Sequence, residues 1–154
     1  MTLDQRGIRA CPTQDRMQEE CTVSESVAEH PGVVTEVYAV LSNGAGAVGL
    51  MRGPEGHQLP GGPFHLSESA EAALMRIMKE THNLDIGVGS LAGLYQRPQS
   101  SRLALVFRAE LLAGDASALT WAKAGDWPTP MAPGALLRIN DAMRFDGKTS
   151  LRLQ

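Results

Sequence analysis

Residues 59–84 read LPGGPFHLSESAEAALMRIMKETHNL, a proline-glycine corner that runs straight into an amphipathic helix. Gly61 and Gly62 let the backbone turn tightly and expose a carbonyl. Ser69 stands where a side-chain oxygen would cap the helix, with Glu71 in the first turn, and good helix formers carry it to Asn83, a residue suited to a left-handed end. A corner feeding a helix start is a common way to hold phosphate.

Working outward, the same logic of punctuation places the neighbours. Upstream, VVTEVYAVL at Val33–Leu41 is dense in β-branched and aromatic residues between Pro31-Gly32 and Asn43-Gly44, which marks a buried strand. Ala47–Arg52 is expected to pair back on it as a hairpin, with Gly53-Pro54 opening a loop to the corner. Downstream, Ile86–Tyr95 and Arg102–Leu112 read as strands, the second apolar enough to be covered on both faces. Pro133 at a first-turn position begins a closing helix in which Ala135, Ile139, Ala142 and Met143 repeat at helical spacing. Strands, a helix, strands and a helix give an α/β fold, a mixed β-sheet sandwiched between helices.

The 154 residues suit one domain. Residues 1–30 are polar, broken by Pro12, with a short helical chance near Gln14–Cys21; they are expected to be an N-terminal extension to a domain at 31–154. A net charge of −3 with scattered Lys and Arg speaks against nucleic acid as a partner. Neither Cys11 nor Cys21 has a companion at metal-ligand spacing, and the absence of a bilayer-length apolar run or a signal-peptide pattern leads to the expectation of a soluble, cytoplasmic protein without a membrane partner. Gly44, Gly46 and Gly49 match G-x-G-x-x-G, but between two strands, so they are expected to serve a hairpin and not a dinucleotide.

Gly62, Glu68, Arg76, Met78, Glu80 and Leu84, preceded by LPGG, fall in the register G-x5-E-x7-R-E-U-x-E-E-x-G-U with U aliphatic. In this the chain resembles the Nudix hydrolases, and the order of strands and helices over residues 33–145 is similar to theirs as well. Ile77, Thr81 and Asn83 replace Glu, Glu and Gly of that pattern. The resemblance implies the Nudix α/β/α fold and metal-dependent hydrolysis of a diphosphate linkage in a nucleoside diphosphate derivative. It further implies Mg²⁺ or Mn²⁺ held by the Gly61 carbonyl, Glu68 and Glu80, with Glu80 and Arg76 as catalytic residues. Gly62, Arg97, Arg102 and Trp121 are the substrate-binding candidates, the partner a small diphosphate or nucleotide-like molecule, and a homodimer the oligomeric state that similar proteins suggest.

The departures shape the chemistry. Magnesium takes hard oxygen ligands, and an isoleucine offers none. At about 100° per residue, Arg76 taken as zero puts Glu80 near 40°, Ile77 near 100° and Thr81 near 140°, so Ile77 is expected in the middle of the metal-facing arc. If each missing acid is worth about 2.7–4 kcal/mol in the transition state, by analogy with an oxyanion donor, two cost on the order of 10⁴-fold in rate or more. His65, His82 and Asp126 are candidates for a base from outside the motif, though His65 and His82 read more simply as loop and helix-end residues, the latter favourable against the helix dipole when charged. Glu80 could also simply pair with Arg76 across one turn. Met75, Met78, Trp121 and Trp127 read most simply as core. Two functions stay open: weak hydrolysis, or a catalytically inactive module that holds a nucleotide-like ligand or a protein partner.

Overall fold

The computed structural model describes residues 32–65 and 67–154, of which Val33–Gln154 form one compact unit. The expected extension at residues 1–30, with its two cysteines, lies outside the described residues.

The buried segment after Val33 forms β1 (Val34–Ser42) at the centre of a mixed sheet. There follow β2 (Ala47–Gly53), β3 (Gly56–Gln58), β4 (Gly61–Pro63), α1 (Ala70–His82), β5 (Asp85–Arg97), β6 (Arg102–Ala113), β7 (Thr120–Lys123), α2 (Ala135–Met143) and β8 (Ser150–Leu153). The sheet runs β3-β2-β1-β6-β5-β8, with β4 added on β1 and β7 on β2; β1/β6 and β5/β8 are parallel. In β6, Phe107 enters one apolar cluster while Ala104 and Val106 enter another, so the strand is covered on both faces as its composition implied. The first cluster joins Val37, Ala39 and Leu41 to Leu74 and Met78 of α1, and the second joins Val40 and Leu50 to Ile139 and Ala142 of α2. A sheet between two helices is the expected three-layer arrangement.

Four local expectations need correction. The hairpin is partial: β2 meets β1 at Ser42 and Val48, then diverges to pair with β7 and β3. The freed edge of β1 is taken by the proline-glycine corner itself, whose Gly61–Pro63 forms β4 opposite Glu36–Tyr38. Pro133 precedes the closing helix; Gly134 caps it at φ 81°, a left-handed conformation a proline ring forbids, and Ala135 is its first residue. Met75 is 45% exposed on the outer face of α1, whereas Met78 is fully buried. Gly44 and Gly46 do take positive φ in the turn between β1 and β2. Gly49 lies within β2, where a Cβ would stand 2.9 Å from the Leu119 side chain; its absence makes room for Leu119 and Trp121.

Candidate functional site

The helix after the glycine corner is set as its sequence dictates. Ser69 is extended, and its Oγ accepts the Ala72 N–H at 3.1 Å; Asn83 ends the helix in the left-handed region at φ 55°. That phase brings together three of the residues picked out from the sequence. Arg76 Nη2 and Nε donate to the two Glu68 carboxylate oxygens at 2.7 and 3.2 Å, and Nη1 donates to Glu80 Oε1 at 3.2 Å. The guanidinium hydrogen bonds hold the Glu68 carboxyl below the usual range, and Glu68 in turn raises Arg76. All three stay accessible to solvent, Glu80 most of all.

Ile77, one residue on, turns the other way. It is buried in the cluster beneath the sheet, and its δ-methyl lies 3.9 Å from where a Cβ on Gly62 would stand. The expectation that it occupies the middle of an open metal-facing arc is corrected: it closes that arc with core packing. Thr81 is exposed. Gly61 is the tighter glycine, since a Cβ there would meet the Val37 carbonyl at 2.0 Å; only a residue without a side chain allows β4 to lie on β1.

Among the described residues no three His, Cys, Asp or Glu side chains converge as a metal cluster. Two carboxylates remain, Glu68 and Glu80, bridged by Arg76. Hard oxygens of this kind fit one Mg²⁺ or Mn²⁺ that completes its shell with water and phosphate, and they fall short of two.

On the opposite face of β1, between the sheet and the start of α2, is a cavity of about 370 Å³. Arg97 and Arg102, both proposed from the sequence, line it together with Glu36, Tyr38, Gln58 and Arg138. Arg102 is ion-paired with Glu36, and Arg97 Nη2 donates to the Pro133 carbonyl at 3.3 Å. Arg138, buried, lies between the Tyr38 and Tyr95 rings at 5.3 Å from each centroid. Burial lowers the Arg138 guanidinium and raises the Tyr38 phenol, the latter helped by Glu36. Tyr38 also touches the glycine corner, because a Cβ on Gly61 would fall 2.8 Å from its ring. Cavity and corner thus share a wall. A larger open groove of about 720 Å³ follows the far half of β1, lined by Val48, Gly87 and Met143, and includes none of the motif residues.

Arg138, Glu36 and Tyr38 were missed in the sequence. A signal for Arg138 existed: it occupies the i+3 place of the stripe Ala135, Ile139, Ala142, a position facing the core. Trp121 is not among the cavity's lining residues; it packs on the α1-side cluster and donates its indole N–H to the Ala116 carbonyl at 2.7 Å. Trp127 packs on the α2-side cluster. His65 and Asp126 are exposed. His82 is half-buried with Nε2 unpartnered, and burial lowers its pKa, which opposes the charged form expected at a helix end.

No protein-family model matches the chain. Over 90 residues it is 32% identical to a Bacillus subtilis protein named "Putative 8-oxo-dGTP diphosphatase", a match spanning 54% of this chain and 60% of the relative. In structure it is similar to a NUDIX hydrolase from Nitrosomonas europaea, with TM-score 0.66, 19% identity, and 82% and 81% of the two chains covered. It is also similar to a UDP-X diphosphatase, with TM-score 0.64, 18% identity, and 83% and 74% covered. At these identities the structures speak to architecture.

Proposed function

We propose that the chain is a Nudix superfamily member, from its partial likeness to a diphosphatase and its fold, and that it binds a nucleoside diphosphate derivative and hydrolyses its diphosphate linkage slowly, with one Mg²⁺ or Mn²⁺ ion. The observation that carries this reading is the survival of Glu68, Arg76 and Glu80 as one hydrogen-bonded set beside the glycine corner. Glu68, Glu80 and the Gly61 carbonyl would hold the ion, which when bound supplies Lewis-acid neutralisation of the diphosphate charge. Arg76 fixes the two carboxylates relative to each other through its fork of donors. Gly62 admits close approach of the ligand to the backbone, and Arg97 and Arg102 present positive charge to it from the cavity. Trp121 receives no ligand role in this reading.

Slowness follows from composition. With Ile77 in the core and Thr81 offering only a neutral hydroxyl, two acids are gone, and the deficit of on the order of 10⁴-fold argued above applies. The buried Ile77 also supports the second reading, a module that binds a nucleotide-like ligand without cleaving it.

A phosphate-release screen over oxidised and ordinary nucleoside triphosphates and nucleoside diphosphate esters, with Glu80→Gln alongside, decides between them. Metal-dependent release by the wild type that disappears in the variant supports hydrolysis. Equal background in both, together with metal-independent ligand binding by calorimetry, establishes the module instead.

A further inference from the structure

Of the three arginines around the 370 Å³ cavity, two have evident occupations: Arg102 is tied to Glu36, and Arg97 reaches the Pro133 carbonyl. Arg138 is different. It is 8% exposed, its Nη2 donates to Gln154 Oε1 at 3.0 Å, and its Nε is buried with no hydrogen-bond partner. A buried cation with an unused donor is costly unless something satisfies it. The tyrosine rings on either side offset part of that cost through their faces, but they accept nothing in the guanidinium plane. Arg97 is close enough to oppose Arg138's charge, and Glu36, the one carboxylate acting on it, is already engaged by Arg102. Counting Arg97, Arg102 and Arg138 against Glu36 and Glu55, the lining is net positive in a chain whose total is −3.

That Nε is closed off from solvent and Nη2 is engaged by Gln154, so a ligand in the cavity would meet Arg138 through its remaining nitrogen and its charge. Arg138 and Arg97 line the same polar space, two cations matched in charge to the oxygens of a phosphate group. Tyr38, which lines this space, lies beside Gly61 of the glycine corner.

We propose that Arg138, with Arg97, is a specificity-determining pair that binds a phosphate group of the ligand in this cavity, so that the compound accepted here presents a phosphorylated end to the face of the sheet opposite Glu68 and Glu80. This deepens the function proposed above and rests on it in taking the cavity as the ligand site. It does not rest on cleavage.

The test is calorimetric titration of inorganic phosphate and of pyrophosphate into the full chain without divalent metal, using wild type, Arg138→Lys, Arg138→Gln and Arg97→Gln, with Arg108→Gln in the distant groove as control. Losing a charge-assisted contact should weaken binding roughly 10- to 100-fold in Arg138→Gln and Arg97→Gln. Arg138→Lys, which keeps the charge and loses the guanidinium, should fall between, and Arg108→Gln should match the wild type. If circular dichroism shows that Arg138→Gln does not fold, Arg138→Lys and Arg97→Gln carry the result. No binding by the wild type at millimolar anion, or equal binding by wild type, Arg138→Lys and Arg97→Gln, overturns the proposal. The metal-free arm separates it from the hydrolytic reading: a protein that cleaves a diphosphate with unchanged KM in Arg138→Lys sinks this inference and leaves hydrolysis standing. Arginine-dependent anion binding without turnover does the reverse.

Discussion

Replacing Ile77 by glutamate restores an acid that the motif lacks, and the structure says what this must cost. Ile77 is 8% exposed and packs with Val37, Phe64, Ala73 and Leu74. Withdrawing a nearly buried isoleucine from apolar contact forfeits about 1.5–3 kcal/mol. The introduced carboxylate adds a second term, because burial raises its folded pKa above the unfolded value of about 4.3. Each unit of that rise costs about 1.36 kcal/mol at a pH above the folded pKa, so one to three units add roughly 1.4–4 kcal/mol. The sign is fixed: an acid raised on folding is harmless while protonated in both states, and its penalty grows as pH climbs from the unfolded pKa to the folded one. In metal-free urea titrations, Ile77→Glu should therefore be less stable than wild type by roughly 3–7 kcal/mol near pH 8 and by about 1.5–3 kcal/mol near pH 4. Magnesium should return more stability to the variant than to the wild type, which already offers Glu68 and Glu80; an ion at a hundred times its Kd returns about 2.7 kcal/mol. Wild-type stability in the variant at pH 8 without metal would refute the placement of Ile77 in the core. Recovery of equal size in the wild type would refute the claim that the missing acid limits metal binding.

The two corner glycines should part company: Gly61→Ala, whose Cβ would meet the Val37 carbonyl, should cost about 3 kcal/mol or more in chemical denaturation, whereas Gly62→Ala, with its nearest neighbour at 3.9 Å, should change stability by less than about 1 kcal/mol. Followed by NMR, the Glu68 carboxyl should titrate below the ordinary glutamate range and return toward it in Arg76→Ala. Because its folded pKa is depressed, the small stabilisation from that pair is present above the unfolded pKa and fades as pH falls through the folded one. Tyr95→Phe removes a 2.7 Å hydrogen bond to Asp141 but leaves that carboxylate held by Arg152, so a loss of about 1 kcal/mol is expected in denaturant midpoint.

How far the sequence could be read depended on whether neighbours along the chain decided the outcome. Ser69 and Asn83 were legible as helix ends because capping is settled within a few residues. The β-branched and aromatic density of β1 and the apolar content of β6 announced a central sheet for the same reason. Register between distant strands was not legible: nothing local in GGP says that it will pair with Glu36–Tyr38 and displace β2 from that edge. The short strands β7 and β8 were missed because their exposed positions give no strong period. Within the site, Glu68, Arg76 and Glu80 were picked out by the resemblance to the Nudix motif, and the structure joins them by hydrogen bonds. Arg97 and Arg102 were found as the flanks of one loop, yet their meeting with Arg138 of α2 around one cavity required the fold. Ile77 was placed at the right angle on the helix but in the wrong medium, since a helical wheel does not say how closely β4 approaches.

The most direct test counts ions. Manganese titrated into the wild type with a non-hydrolysable nucleoside diphosphate analogue, and read as free Mn²⁺ by electron paramagnetic resonance, should saturate at one ion per chain and lose that ion in Glu68→Gln and in Glu80→Gln. Saturation at two or more ions, or an unchanged single ion in both variants, would contradict the account.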